Sequence, residues 1–341
     1  LLKPGSIIDS KYQIEHLIAE GGMAEVYLAT CLKPQPHGSY VAIKRLQSHL
    51  RNHANIAELF EREAAHIINF KSPHIVQGIE LIKSGSEILL IMKHIFGFDL
   101  SKAIAMLRTQ ALSIRIQVAI AVGRAIGHAL KYIREWPDEK GDKLNLVHGD
   151  ISAQNIILST TGGIYLVDFG VASRPKDSLA QSRELLRGTW RYMAPELCEG
   201  HANSEASDIY ALGVVLEEII GEKLETHKVL QAFIYKAKSK ESLERYQQAD
   251  DFLVDLEIIA NFYKVTDTSA AITNLLALSF PQIAKPKNSG SSVAVFFLVM
   301  IALLIMTSVI AAGTHFFYPR LPPVGAYDHH CESYGEAIFK E

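Results

Sequence analysis

The chain has 341 residues, 48% hydrophobic and 21% charged, which is enough for two cored lobes and too apolar for intrinsic disorder. A formal net charge of −3 leaves no face-sized basic excess, which excludes a nucleic-acid-binding protein. Cys31, Cys198 and Cys331 are too few and too scattered for a disulfide framework or a zinc site.

In chain order, the amino terminus predicts no signal peptide, since its apolar residues are broken by Lys3, Pro4 and Gly5. From about Tyr12 to Leu100 the pattern predicts mostly strands with one helix, a first lobe. Ile18 to Ala29 (IAEGGMAEVYLA) sets two glycines between apolar runs, which predicts a hairpin whose tip lets backbone amides approach a ligand. Tyr40 to Leu46 (YVAIKRL) alternates, so Val41 and Ile43 face one way and Ala42 and Lys44 the other. Ala42 and Lys44 are then about 7 Å apart on one face, which lets a small residue meet a base while the lysine reaches a phosphate. The helix predicted over Ile56 to Phe70 carries Ile56, Phe60, Glu63 and Ile67 at helical spacing on one face. Glu63 interrupts an apolar stripe. A buried carboxylate without a cation costs several kcal/mol, so Glu63 either pairs with Lys44, the candidate partner, or lies in water at an exposed edge of the stripe.

From Ser101 to about Phe280 the pattern is mostly helical around one hairpin, a second lobe. The runs LVHGDISAQNIIL (Leu146 to Leu158) and LVDFG (Leu166 to Gly170) flank the turn Ser159 to Gly163. Ile156 to Leu158 and Ile164 to Val167 read as its strands. Antiparallel pairing makes Asn155 and Asp168 neighbours, with Asp150 in the loop just before them. Two carboxylates and an amide oxygen suit Mg²⁺, which prefers oxygen ligands and is shared with substrate phosphates.

Pro281 to Ser292 (PQIAKPKNSGSS) has the composition of an exposed linker. Val293 to Gly313 then runs 21 residues without a charge. As a helix it spans roughly 30 Å, which predicts a single transmembrane helix. Lys285 and Lys287 precede it, and Phe316, Phe317, Tyr318 and Arg320 follow, a bias that puts the amino-terminal side in the cytoplasm. Thr314 to Glu341 is a short extracytoplasmic tail. Its Asp328, His329, His330 and Cys331 read as incidental rather than as a metal site, while Cys331 could pair two chains into a homodimer.

Taken together, these motifs resemble the eukaryotic-like, or Hanks-type, serine/threonine protein kinases, over roughly Tyr12 to Leu256. The GGM of the glycine loop looks most like their bacterial membrane-anchored branch. The resemblance implies an α+β, two-lobed protein kinase fold over residues 1–280, with a small β-rich lobe and a larger helical one. The linker 281–292, the membrane helix 293–313 and the tail 314–341 follow. It implies ATP and Mg²⁺ or Mn²⁺ as cofactors, proteins bearing Ser or Thr as substrates, and a cytoplasmic kinase domain at the cell membrane. Ala19, Glu20, Gly21 and Gly22 correspond to the phosphate loop. Val26, Ala42 and Ile157 would sandwich the base, Met92 would be the gatekeeper, and the Lys93 carbonyl and Ile95 amide would meet adenine. Lys44, held by Glu63, would orient the α and β phosphates. Asn155 and Asp168 match the magnesium ligands, and Asp150 the catalytic-loop aspartate. Thr189 in GTWRYMAPE stands where serine/threonine kinases carry a threonine that bonds that aspartate; tyrosine kinases usually have proline there. The APE run, Ala194 to Glu196, matches the end of the activation segment, and DIYALG (Asp208 to Gly213) the buried helix that anchors the catalytic loop. Arg245 would pair with Glu196 as a structural ion pair.

This sequence departs from that pattern in the glycine loop, at Ala19 and Ala24, and in the catalytic loop. Gly149 replaces the arginine that usually meets an activation-loop phosphate, so phosphorylation at Ser178 or Ser182 would matter less for switching. Ser152 replaces a lysine that would stabilise the transferring phosphoryl group, which implies slow turnover. A membrane-tethered pseudokinase is the alternative these two positions motivate. HGD with a following Asn also resembles aminoglycoside and choline-type phosphotransferases, but V-A-I-K, GTWRYMAPE and DIYALG oppose that reading.

Overall fold

Alternating apolar residues build the first lobe. β1 (Ile7–Ile8), β2 (Tyr12–Glu20), β3 (Ala24–Cys31), β4 (Tyr40–Leu46), β5 (Gly78–Ser84) and β6 (Glu87–Lys93) form one antiparallel sheet in the order β1-β2-β3-β4-β6-β5. Tyr12, Ile14, Tyr27, Ala29, Val41, Ile43, Leu89 and Ile91 gather in one core cluster on the sheet. The period of two then sends Ala42 and Lys44 to the opposite face. α1 (Ala54–Asn69) buries Phe60, Glu63, Ala64 and Ile67. It begins two residues before the predicted Ile56, at a point where His53 makes no side-chain cap, so no capping residue marks its start.

The structure is a computed structural model that describes residues 1–279 apart from 33–38, 52, 86, 139 and 170–189. The predicted linker, membrane helix and tail, together with Thr189, Ser178 and Ser182, lie outside the described residues. The chain divides into a unit Leu1–Leu275 and a unit Leu276–Glu341. Of the latter, only the end of one helix is described. Among the described residues no helix is long and apolar enough to cross a membrane.

The second lobe contains β7 (Gly97–Asp99), α2 (Leu100–Leu107), α3 (Leu112–Arg134), β8 (Ile156–Ser159), β9 (Ile164–Leu166), α4 (Pro195–Cys198), α5 (Glu205–Ile220), α6 (Lys228–Ala237), α7 (Ala249–Phe262) and α8 (Thr268–Ser279). α3 is apolar on most sides and packs against α5 and α7. α5 starts at a reciprocal cap in which Ser204 and Ser207 each accept the other's backbone N–H, at 3.1 and 2.9 Å. β7 differs from its expected place in the strand-rich first lobe. It pairs instead with β8, Gly97 opposite Ser159 and Asp99 opposite Ile157. Gly97 permits this approach, because a Cβ there would lie 2.1 Å from the Leu158 carbonyl oxygen.

Candidate active site

The hairpin positions the first functional groups. β8 and β9 pair Ile156 with Leu166, and the Val167 N–H donates to the Asn155 carbonyl at 2.9 Å. Asn155 and Asp168 therefore lie at one end of the hairpin, as the pattern predicts. The Asn155 amide nitrogen donates to the Asp150 carbonyl at 2.8 Å and to its carboxylate at 3.0 Å. A carboxylate accepts only, so the Asn155 nitrogen faces it and the amide oxygen is left for a cation.

The loop that carries Asp150 is held from beneath. Asp208, buried in α5, accepts the His148 N–H at 2.7 Å and the Gly149 N–H at 2.8 Å. Burial pushes its carboxyl up to about 7, against the pull of those two amides. Gly149 has φ +76°, a conformation a side-chain residue holds only under strain. The glycine in place of the usual arginine thus fits the loop's backbone. The His148 ring accepts the Asp150 N–H on Nδ1 at 3.2 Å, which places its proton on Nε2. Burial lowers the ring to about 4, so it is neutral near pH 7.

From the first lobe, Lys44 reaches the same place. Its ammonium lies 2.7 Å from Glu63 and 2.7 Å from Asp168. Burial favours the neutral amine, but the Asp168 and Glu63 carboxylates outweigh it and hold the pKa above an ordinary lysine's. Burial also raises the Glu63 pKa, against the attraction of Lys44, and the Phe169 backbone amide bonds the same carboxylate. The expected Lys44–Glu63 pair is therefore formed. Asp168 has φ +63°, which aspartate tolerates better than most residues, and its side chain is 47% exposed. The chain after α1 ties the lobes together, with Val76 N–H to Leu166 carbonyl at 3.0 Å and Leu166 N–H to His74 carbonyl at 2.8 Å.

The residues expected in the phosphate loop span the end of β2 and the β2–β3 turn. Ala19 pairs with Val26 and Glu20 with Glu25, while the Gly21 N–H donates to Ala24 at 2.9 Å. Ala19 and Ala24 sit in strands, where extended backbone requires no glycine. Gly21 and Gly22 do not adopt positive φ either, and a Cβ on Gly21 would meet only the Ala24 carbonyl, at 3.5 Å. Val26 lies opposite Lys44 in the β3–β4 ladder, and Ala42 opposite Met92 in β4–β6. Met92 is buried, Lys93 ends β6 with its N–H on the Gln77 carbonyl at 2.9 Å, and Ile95 follows in the connector. Ile157 lies in the middle strand of the second sheet. Thr189 lies outside the described residues. The Arg245–Glu196 pair is bidentate, both contacts 2.7 Å.

The oxygen donors of Asn155 and Asp168 fit a hard divalent cation that shares its remaining positions with phosphates. Two features were not singled out from the sequence. One is the His148 ring, which packs at 4.6 Å on Phe169. The other is the double amide clasp of Asp208: the DIYALG resemblance points to an anchoring helix, but not to the two backbone amides that its aspartate holds.

Comparison with known proteins points the same way. A family model described as protein tyrosine and serine/threonine kinase matches residues 12–264. The serine/threonine-protein kinase PrkC of Bacillus subtilis is 28% identical over 74% of this chain and 41% of its own length. The serine/threonine-protein kinase PknA of Mycobacterium tuberculosis is 31% identical over 64% of this chain and 48% of its own. The tyrosine-protein kinase MasK of Myxococcus xanthus is 32% identical over 61% of this chain and 32% of its own. This chain thus spans less than half the length of each of these curated relatives. The crystal structure of the Mycobacterium tuberculosis PknI kinase domain, C20A_R136N double mutant, shares the two-lobed fold, with TM-score 0.58 and 21% identity over 76% of this chain and 100% of that one. With the family model covering both lobes and the residues that meet between them, the chain belongs to the protein tyrosine and serine/threonine kinase family.

Proposed function

We propose that this chain is an ATP-dependent protein kinase that transfers the γ-phosphoryl group to serine and threonine hydroxyls of proteins. The observation that carries the reading is Lys44 bridging Glu63 and Asp168 at 2.7 Å each. Phosphoryl transfer depends on positioning and charge neutralisation more than on covalent help. Lys44 would draw the α and β phosphates into place. Asn155 and Asp168 would hold Mg²⁺, or Mn²⁺ in its stead, which supplies neutralisation of phosphate charge when bound. Asp150 would accept the proton of the attacking hydroxyl. Gly21 and Gly22 leave the loop open to the phosphates. Val26, Ala42 and Ile157 would enclose the base, with Met92 behind it and the Lys93 carbonyl and Ile95 amide at its edge.

Thr189 and the names of PrkC and PknA favour serine and threonine, whereas MasK is named a tyrosine kinase. Ser152 removes a positive charge beside the transferring group and lowers the rate without changing the reaction. The uncharged run Val293 to Gly313 tethers the kinase domain, residues 1–280, to the cytoplasmic face of the cell membrane through the linker 281–292. Cys331 in the tail is a point for pairing two chains. Protease protection of the tail in sealed vesicles tests the tether, and a reducible dimer band tests the pairing.

Incubation with γ-labelled ATP, Mg²⁺ and a generic basic protein, followed by phosphoamino-acid analysis, tests the reaction. Labelled phosphoserine or phosphothreonine is expected. Phosphotyrosine alone would move the chain to the MasK type. Nucleotide binding without transfer would mark a pseudokinase, and transfer only to small hydroxylated amines a small-molecule phosphotransferase.

A further inference from the structure

The turn that carries Asp168 depends on what packs behind it. Phe169, 7% exposed, meets the Phe70 ring at 5.5 Å and 61°. Phe70, 2% exposed at the corner after α1, meets Trp136 at 5.0 Å and 78°. Both are edge-to-face contacts, the arrangement that the ring quadrupoles favour. Tyr132 closes the group at 5.7 Å from Phe70, and its hydroxyl accepts the Lys71 N–H at 2.7 Å.

Trp136 lies two residues past α3, where the chain begins its approach to the catalytic loop. Its carbonyl accepts the Leu144 N–H at 2.9 Å, closing the loop that delivers His148, Gly149 and Asp150. One residue thus touches the corner after α1 with its ring and the lead into the catalytic loop with its backbone. The Phe169 amide, at the far end of the aromatic row, bonds Glu63, the partner of Lys44.

We propose that Trp136 is a positioning residue for the metal turn: its ring holds Phe70, Phe70 holds Phe169, and Phe169 keeps the Asp168 carboxylate facing Lys44. The proposal rests on the nucleotide and metal reading of the site given above. It assigns the half-buried indole a task beyond filling space, because it couples the approach to Asp150 with the turn of Asp168.

The test measures the affinity of the full chain for a fluorescent ADP analogue with and without Mg²⁺, and takes the ratio. Trp136→Ala should cut the magnesium enhancement about fivefold, the size expected from losing one aromatic contact, while metal-free affinity stays within about twofold. Trp136→Phe should restore the ratio. Phe70→Leu should reproduce the loss, and it reads the same quantity where Trp136→Ala fails to fold. An unchanged ratio in folded Trp136→Ala or Phe70→Leu would overturn the proposal. So would an equal loss of affinity with and without Mg²⁺, which marks a purely structural role. A wild-type chain without magnesium enhancement would instead overturn the assignment of Asn155 and Asp168, and the proposal with it.

Discussion

Replacing Arg245 with methionine removes the most completely buried cation of the second lobe's ion pairs. Its side chain is 0% exposed, and the Glu196 side chain opposite is 16% exposed. The guanidinium donates to Glu196 through both terminal nitrogens at 2.7 Å, to the Lys240 carbonyl at 2.9 Å and to the Ser239 carbonyl. It also lies 4.8 Å over the Tyr210 ring. Arg245→Met strands a nearly buried carboxylate and orphans two carbonyls, so the cost should be about 3–5 kcal/mol, toward the upper end of single-residue effects. At about 2–4 °C per kcal/mol for a domain of this size, the melting temperature should fall by about 6–20 °C. Differential scanning calorimetry or denaturant titration measures it. Adding Glu196→Leu should recover most of the loss, because an apolar pair of similar volume needs no charge compensation. A loss below about 1 kcal/mol in Arg245→Met, or a double variant no more stable than the single one, would refute the reasoning.

Lys44→Met should lower phosphoryl transfer by about 100-fold or more and, by stranding Glu63, reduce stability by about 3 kcal/mol; adding Glu63→Leu should restore stability in urea unfolding but not activity. His148 has a folded pKa of about 4 against an ordinary 6.5, so the unfolded state binds the extra proton between those values. Its contribution is complete above pH 6.5 and is lost as pH falls toward 4, a total of about 3 kcal/mol. Asp208, raised to about 7, works in the opposite direction, favouring the folded state as pH falls. The difference between the wild-type and His148→Gln stability profiles isolates the histidine, and parallel profiles would contradict its burial as a neutral ring. Gly97→Ala forces a Cβ to within 2.1 Å of the Leu158 carbonyl oxygen. It should cost about 1–3 kcal/mol and weaken nucleotide binding through the shift of Ile157, both readable from a thermal-shift titration with ADP.

What the sequence made legible follows from local period and from charge in the wrong place. Alternation in Tyr40–Leu46 separates Val41 and Ile43 from Ala42 and Lys44, and the sheet does the same. Glu63 in an apolar stripe called for either a cation or water, and the structure buries it against Lys44. The hairpin length set Asn155 beside Asp168. Other features depend on contacts between distant segments, which no local pattern encodes. Asp208 clasps amides 59 and 60 positions away. The Phe70, Trp136 and Phe169 rings come from three separate elements. β7 changed lobes because Gly97 fits against Leu158, a fit visible only once both backbones are placed.

The most direct test compares the wild type with Asp150→Asn in γ-phosphoryl transfer from Mg·ATP to a protein, alongside nucleotide affinity. The wild type should label serine or threonine. Asp150→Asn keeps an oxygen for the Asn155 amide but cannot take the hydroxyl proton, so transfer should fall by about 100-fold or more while ADP affinity stays within about twofold. Full transfer by the Asp150→Asn variant would remove Asp150 from the role of proton acceptor, and absence of transfer by the wild type would contradict the kinase reading itself.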